Sequence, residues 1–193
     1  MGQPAYKEAD HPTYGDYLTW PEDERWELID GVPYNMTPAP SRRHQDLVVE
    51  LGAQIRDFLR GKPCKVYVAP FDVRLPDANE ADEVVLTVVQ PDVAVICEAS
   101  KLDDKGCRGA PDFIIEIVSP STSPKDQIEK VALYERHGVK EYWIVHPWDN
   151  LLTIRLLGAD GKYGIPTIRK GEGRVQVATL PGLEVDLDSV FAP

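Results

Sequence analysis

The sequence predicts an α/β domain, and three observations lead there. Two apolar runs, VAVIC at 93–97 and FIIEIV at 113–118, each follow a Pro-Asp pair and show no alternation. Such runs read as strands buried on both faces. Behind the second run comes a helical pattern, KDQIEKVALYERHG, and then a further strand, VKEYWIVHP. Strand, helix and strand in that order form a crossover unit with parallel strands. Past residue 150 the chain reads as short strands, with Val175/Val177 and Leu183/Val185/Leu187 alternating as in a half-exposed antiparallel extension. A chain of 193 residues fits one domain over 1–193, with residues 1–12 as a loose lead-in.

Taken in order, Thr13 is an N-cap for a short helix TYGDYLTW, with Asp16 at the capping-box position and Pro21 as its stop. Arg25–Asp30 and VPYNM read as a hairpin turning at Gly31. Glu27 lies in its first strand, facing either solvent or a cleft. Ser41 caps a helix to about Arg60, whose apolar face is Leu47, Val48, Leu51, Ile55, Phe58 and Leu59. CKVYVAPFDVRLP reads as one strand kinked at Pro70, DANEADE as an acidic mobile loop, and VVLTVVQ as a further strand. EASKLDDKGCRG reads as a polar connection. Ser123 and Pro124 open the helix of the crossover, and Ile128, Val131, Ala132 and Tyr134–Glu135 lie near one face of it.

The formal net charge of −11 argues against a general nucleic-acid coat or an anionic membrane partner, and leaves a local basic groove open. The three cysteines, Cys64, Cys97 and Cys107, include no Cys-x-x-Cys pair and read as free thiols of a cytoplasmic protein. No apolar stretch reaches membrane-spanning length.

Glu116 is the residue that points to chemistry. A lone carboxylate among five apolar neighbours in a buried strand is costly unless it is paired or bound to a metal. Asp92 opens the other buried strand, so pairing of the two strands would bring both carboxylates to one point. Such a pair, with a backbone carbonyl such as that of Ile117, suits Mg²⁺ or Mn²⁺, which favour oxygen ligands and retain waters. A lysine beside it would support an attacking water. Lys130 is the first candidate and Lys125 the second. The bland alternative makes Asp92 turn chemistry and pairs Lys130 with Asp126 one helical turn away. His44, in the first turn of its helix, is either structural or a contact to substrate phosphate.

The succession RWELIDGV, SRRHQDLVVEL, VQPDVAVI, PDFIIEIVSPST and DQIEKVALYERHGVKEYWIVHP resembles the Uma-two putative restriction endonuclease family, within the PD-(D/E)XK nuclease superfamily. The resemblance runs from about Tyr14 to Leu187. It implies a restriction-endonuclease-like mixed β-sheet core flanked by helices, and a metal-dependent phosphodiesterase site. Asp92 matches the Pro-Asp carboxylate and Glu116 the second acidic ligand. The lysine expected two positions later is Val118 here, and Lys130 fits the displaced lysine of the family. Glu27 matches a glutamate of the first hairpin, and His44 a histidine of the first long helix.

The expectation is therefore a Mg²⁺-dependent endodeoxyribonuclease, acting as a homodimer because one site cuts one strand. Asp92 and Glu116 would hold the metal, with Lys130 and Glu27 catalytic and His44 and Lys125 contacting substrate. A non-catalytic nucleic-acid- or protein-binding module on the same fold is the alternative, and a metal hydrolase of small phosphodiesters a third class.

Overall fold

The computed structural model describes residues 11–21, 23–36, 39–118 and 128–192. Ser123, Pro124, Lys125 and Asp126 lie outside them, so the predicted helix entry, the second lysine candidate and the Asp126 pairing do too.

The first helix, α1 (Tyr14–Tyr17), is one turn long and carries the predicted capping box between Thr13 and Asp16. Strands β1 (Trp26–Ile29) and β2 (Val32–Asn35) form the predicted hairpin. Its two loop residues, Asp30 and Gly31, both have positive φ (51° and 76°), the backbone of a tight hairpin turn. Helix α2 (Arg42–Phe58) starts at Ser41, whose hydroxyl accepts from the His44 amide, and buries Leu47, Val48, Leu51 and Ile55.

The segment read as one kinked strand is two strands in two sheets, β3 (Lys65–Val68) and β4 (Val73–Arg74). The predicted strand at VVLTVVQ shrinks to β5 (Val88–Val89) behind a 3₁₀ turn at Asp82–Val84. That turn belongs to the acidic stretch read as a mobile loop. It is ordered because Asp82 is ion-paired with the buried Arg74 and with Arg108. After β6 (Val93–Ile96), the connection read as polar and irregular contains a small hairpin, β7 (Leu102–Asp103) and β8 (Gly106–Arg108). Next come β9 (Phe113–Ile117), α3 (Lys130–His137) and β10 (Glu141–His146), with β9 and β10 parallel as predicted. The tail supplies β11 (Leu151–Leu156), β12 (Thr167–Lys170), β13 (Arg174–Gln176) and β14 (Glu184–Asp186), then an unforeseen helix α4 (Leu187–Val190).

Two six-stranded sheets result, ordered β2-β1-β5-β4-β8-β7 and β12-β11-β10-β9-β6-β3, with β13–β14 as a separate pair. The second sheet is central, and its unalternating strands are explained by its two covered faces. Val93, Val95, Phe113, Ile115, Ile117, Trp143 and Val145 pack with α2 and the C-terminal elements. Ala94, Ile96, Ile114, Val118, Tyr142 and Ile144 pack with α3 and the first sheet. Neighbours in sequence therefore serve opposite cores, as the period of two requires.

Cys64 and Cys97 form a disulfide, contrary to the free thiols expected, while Cys107 stays free and buried. Strands β3 and β6 are antiparallel and pair Lys65 with Ile96. Cys64 and Cys97 are the next facing positions, with Cα atoms 3.8 Å apart. Their separation of 33 residues concealed this partnership.

The second Pro-Asp pair has a structural task. Asp112 accepts from the Cys97 amide at 2.8 Å and from Lys140 at 2.6 Å, joining β6, β9 and β10. Burial alone would raise its carboxyl; the Lys140 and Cys97 hydrogen bonds outweigh it and hold the group below the usual range. A carboxyl depressed on folding contributes stability above its unfolded pKa and loses it as pH falls through the folded value. Asp112→Asn is expected to cost about 1–3 kcal/mol at neutral pH. The gap from wild type should narrow as pH falls below about 4. Urea unfolding at a series of pH values checks this, and a gap independent of pH would contradict it.

Candidate active site

The register of the central sheet brings the two predicted carboxylates together. Strands β6 and β9 are antiparallel with Val93 opposite Ile115, and one further step sets Asp92 opposite Glu116. Asp92 Oδ2 accepts from the Ile117 amide at 2.7 Å. It also lies 3.1 Å from His44 Nε2 at the start of α2. His44 is thus placed on a carboxylate of the site, and its Nδ1 is buried with no hydrogen-bond partner among the described residues.

Glu116 shares a sheet face with Ile114 and Val118 and so points toward α3. Lys130 at the start of that helix donates to Glu116 Oε1 at 2.8 Å and to Glu27 Oε1 at 2.9 Å. Glu27 comes from β1 on the other sheet, where Leu28 turns to the Tyr14 side and Glu27 to the shared interior. All three are nearly inaccessible, with exposures of 0% for Glu27, 4% for Glu116 and 2% for Lys130. One ammonium therefore bridges carboxylates from two sheets. The buried face of α3 is Lys130, Leu133 and Tyr134, with Val131 packed beside it; of the expected face, Tyr134 and Val131 turn inward while Ile128 and Ala132 are exposed. Ile128 is 70% exposed. The pattern misleads because Lys130 counts as polar, yet its two carboxylate partners allow it to be buried.

Two contributors escaped the sequence reading. Tyr134 donates to Glu116 Oε1 at 2.7 Å, one helical turn from Lys130 on the same face. Burial, and then the Glu116 charge, hold its hydroxyl far above the usual phenol range, so it remains a donor. The Gln90 amide donates to Glu27 Oε1 at 3.0 Å. Helical spacing could have indicated Tyr134; no signal pointed to Gln90. Val118, which stands where the sequence resemblance leads one to expect a lysine, is buried.

The donor set fits a hard divalent cation. Both hydrogen bonds to Asp92 fall on Oδ2, Oδ1 has no protein partner among the described residues, and the side chain is 15% exposed. Two carboxylates, Glu27 and Glu116, meet Lys130 here, and Asp92 lies opposite Glu116 on the neighbouring strand. No group of three or more His, Cys, Asp or Glu with metal-binding geometry occurs among the described residues. The fit is therefore to an ion held by two carboxylates that keeps most of its waters, in the manner of Mg²⁺.

The fold is that of a restriction-endonuclease-like protein. The chain belongs to the Uma2 family, described as "Putative restriction endonuclease", whose model matches residues 14–188. The crystal structure of a putative nuclease belonging to DUF820 from Anabaena variabilis superimposes with a TM-score of 0.73. It is 17% identical, over 93% of this chain and 97% of that one. Uncharacterized protein slr1290 of Synechocystis is 23% identical over 179 residues, 91% of this chain and 89% of that protein. No helix among the described residues is long and apolar enough to cross a membrane.

Removing the ammonium would leave two buried carboxylates facing each other. Lys130→Met is expected to cost about 3–5 kcal/mol in urea unfolding, and the added change Glu27→Gln to recover part of it. A loss below about 1 kcal/mol would place Lys130 with exposed ion pairs and contradict the geometry.

Proposed function

We propose that this chain is a metal-dependent endonuclease that hydrolyses DNA phosphodiester bonds, a single domain acting as a homodimer. The observation that carries the proposal is the juxtaposition of Asp92, which keeps an oxygen unengaged among the described residues, with Glu116 and the Lys130 ammonium clamped behind it. Membership of a family described as "Putative restriction endonuclease" supports it, as does the fold of a neighbour titled a putative nuclease.

Asp92 and Glu116 would hold Mg²⁺ or Mn²⁺. Such an ion supplies a nucleophilic water at neutral pH and stabilises charge on the phosphoryl oxygens. The remaining work belongs to side chains. Lys130 orients the attacking water and offsets the negative charge gathering at phosphorus. Glu27 fixes the lysine from the opposite sheet, and Tyr134 fixes Glu116. His44 holds Asp92 Oδ2 and so turns Oδ1 outward. One such site cuts one strand, which is the reason for proposing two copies. The free-thiol argument for a cytoplasmic location does not extend to Cys64 and Cys97, which are bonded.

Cleavage of single- and double-stranded DNA with Mg²⁺, Mn²⁺ or EDTA tests the proposal. Cleavage is expected only with metal, and Asp92→Asn or Glu116→Gln should lower it at least about 100-fold while leaving the protein folded. Cleavage that persists in EDTA, or in both variants, would overturn it. Metal binding without cleavage of any nucleic acid would favour the binding module.

A further inference from the structure

A cavity of about 450 Å³ opens beside the catalytic residues and has no part in the mechanism above. Its walls are short extensions of the site. Gln90, whose amide holds Glu27, lines it, as do Phe71 and Asp72. Ala69, just before them, donates its amide to the Asp92 carbonyl at 3.1 Å. The cavity is therefore joined to the Asp92 strand through the backbone just before Phe71.

Its chemistry suits a base better than a phosphate. Tyr67 and Phe71 line it with their rings parallel, centroids 4.2 Å apart and 4° between planes. The gap between them is closed, so a planar ligand would stack on an outer ring face. Asp72 is held by the Tyr17 hydroxyl (3.0 Å) and Gln90 Nε2 (2.9 Å), both on Oδ1. Gln90 is itself fixed by Arg25, whose guanidinium donates twice to Oε1 at 3.0–3.1 Å. No hydrogen bond from the described residues reaches Asp72 Oδ2. The other wall includes Asp103, already engaged by Arg74. Gly106 closes the floor with φ +127°, where a Cβ would lie 2.2 Å from the Asp72 carbonyl oxygen. Only glycine permits that approach. Lys105 also lines the cavity, but the carboxylates of Asp72, Asp103 and Asp104 outnumber it, so the cavity disfavours phosphate and accepts N–H donors, and an aromatic face accepts any base.

We propose that this cavity binds an unpaired nucleobase bearing an exocyclic amine, stacked on the Tyr67–Phe71 pair and donating to Asp72. The proposal rests on the nuclease reading and deepens it. A base can enter only from a single strand or after leaving the duplex, so the substrate would be single-stranded or locally opened DNA.

The test uses the full chain in metal-free buffer, so that no strand is cut, and fluorescein-labelled single-stranded probes: oligo-dC, oligo-dT and an abasic strand of the same length. Fluorescence anisotropy is expected to give binding in the order dC, dT, abasic, with dC over abasic by about tenfold. Phe71→Leu should shrink the gap between dC and abasic, and Asp72→Asn should remove the preference for dC over dT. Thermal unfolding confirms that both variants are folded. Equal binding of dC and abasic strands by wild type would overturn the pocket and leave the nuclease reading standing. A gap that survives in both variants would do the same. No binding of any strand by the folded protein would overturn both.

Discussion

The Glu27–Lys130–Glu116 ion cluster is the interaction on which the rest depends. It joins β1 of one sheet, β9 of the other and the first turn of α3 through a single ammonium. Desolvating three charges costs several kcal/mol for each, and their attraction offsets this only with close hydrogen bonds on the remaining atoms. The protein supplies such bonds through Tyr134 on Glu116 and the Gln90 amide on Glu27. An apolar trio of the same volume would hold the sheets together as well or better. A cluster maintained where hydrophobic packing would suffice points to a chemical task, and Asp92 on the adjoining strand gives that task a place.

The central sheet makes the cluster possible. Both faces are covered, so Glu116 enters a dry interior while Ile115 and Ile117 on either side of it serve the opposite core. Asp92 escapes that burial because it precedes β6, where the sheet ends and α2 brings in His44. The site therefore has a dry layer, where the lysine is locked, and a wetter rim, where Asp92 meets solvent. The proposed base cavity continues that rim through Gln90 and Phe71.

The sequence made most of this framework legible because strong local signals agreed with the tertiary result. The capping box at Thr13, the cap at Ser41, the Asp30–Gly31 turn and the parallel pairing of β9 with β10 rest on local signals, and all formed. Glu116 stood out because a charge in a buried strand has few structural excuses. What escaped depended on contacts distant in sequence. The Cys64–Cys97 bond needed the β3–β6 register, and Arg74 ordered the acidic loop only once Asp82 and Asp103 reached it. The buried face of α3 was only partly foreseen, because lysine is scored as polar without knowledge of its partners. The two Pro-Asp pairs look alike in sequence, yet Asp112 is committed to Lys140 and the Cys97 amide while Asp92 keeps an oxygen in reserve.

Isothermal calorimetry of Mn²⁺ and Mg²⁺ with the folded wild-type protein, and with Asp92→Ala, tests the central claim most directly. The account predicts saturable binding by wild type that Asp92→Ala abolishes, because its carboxylate offers an oxygen that no described residue engages. Undiminished binding by the variant, or none by wild type even with a short DNA present, would contradict it and make the buried cluster a structural device.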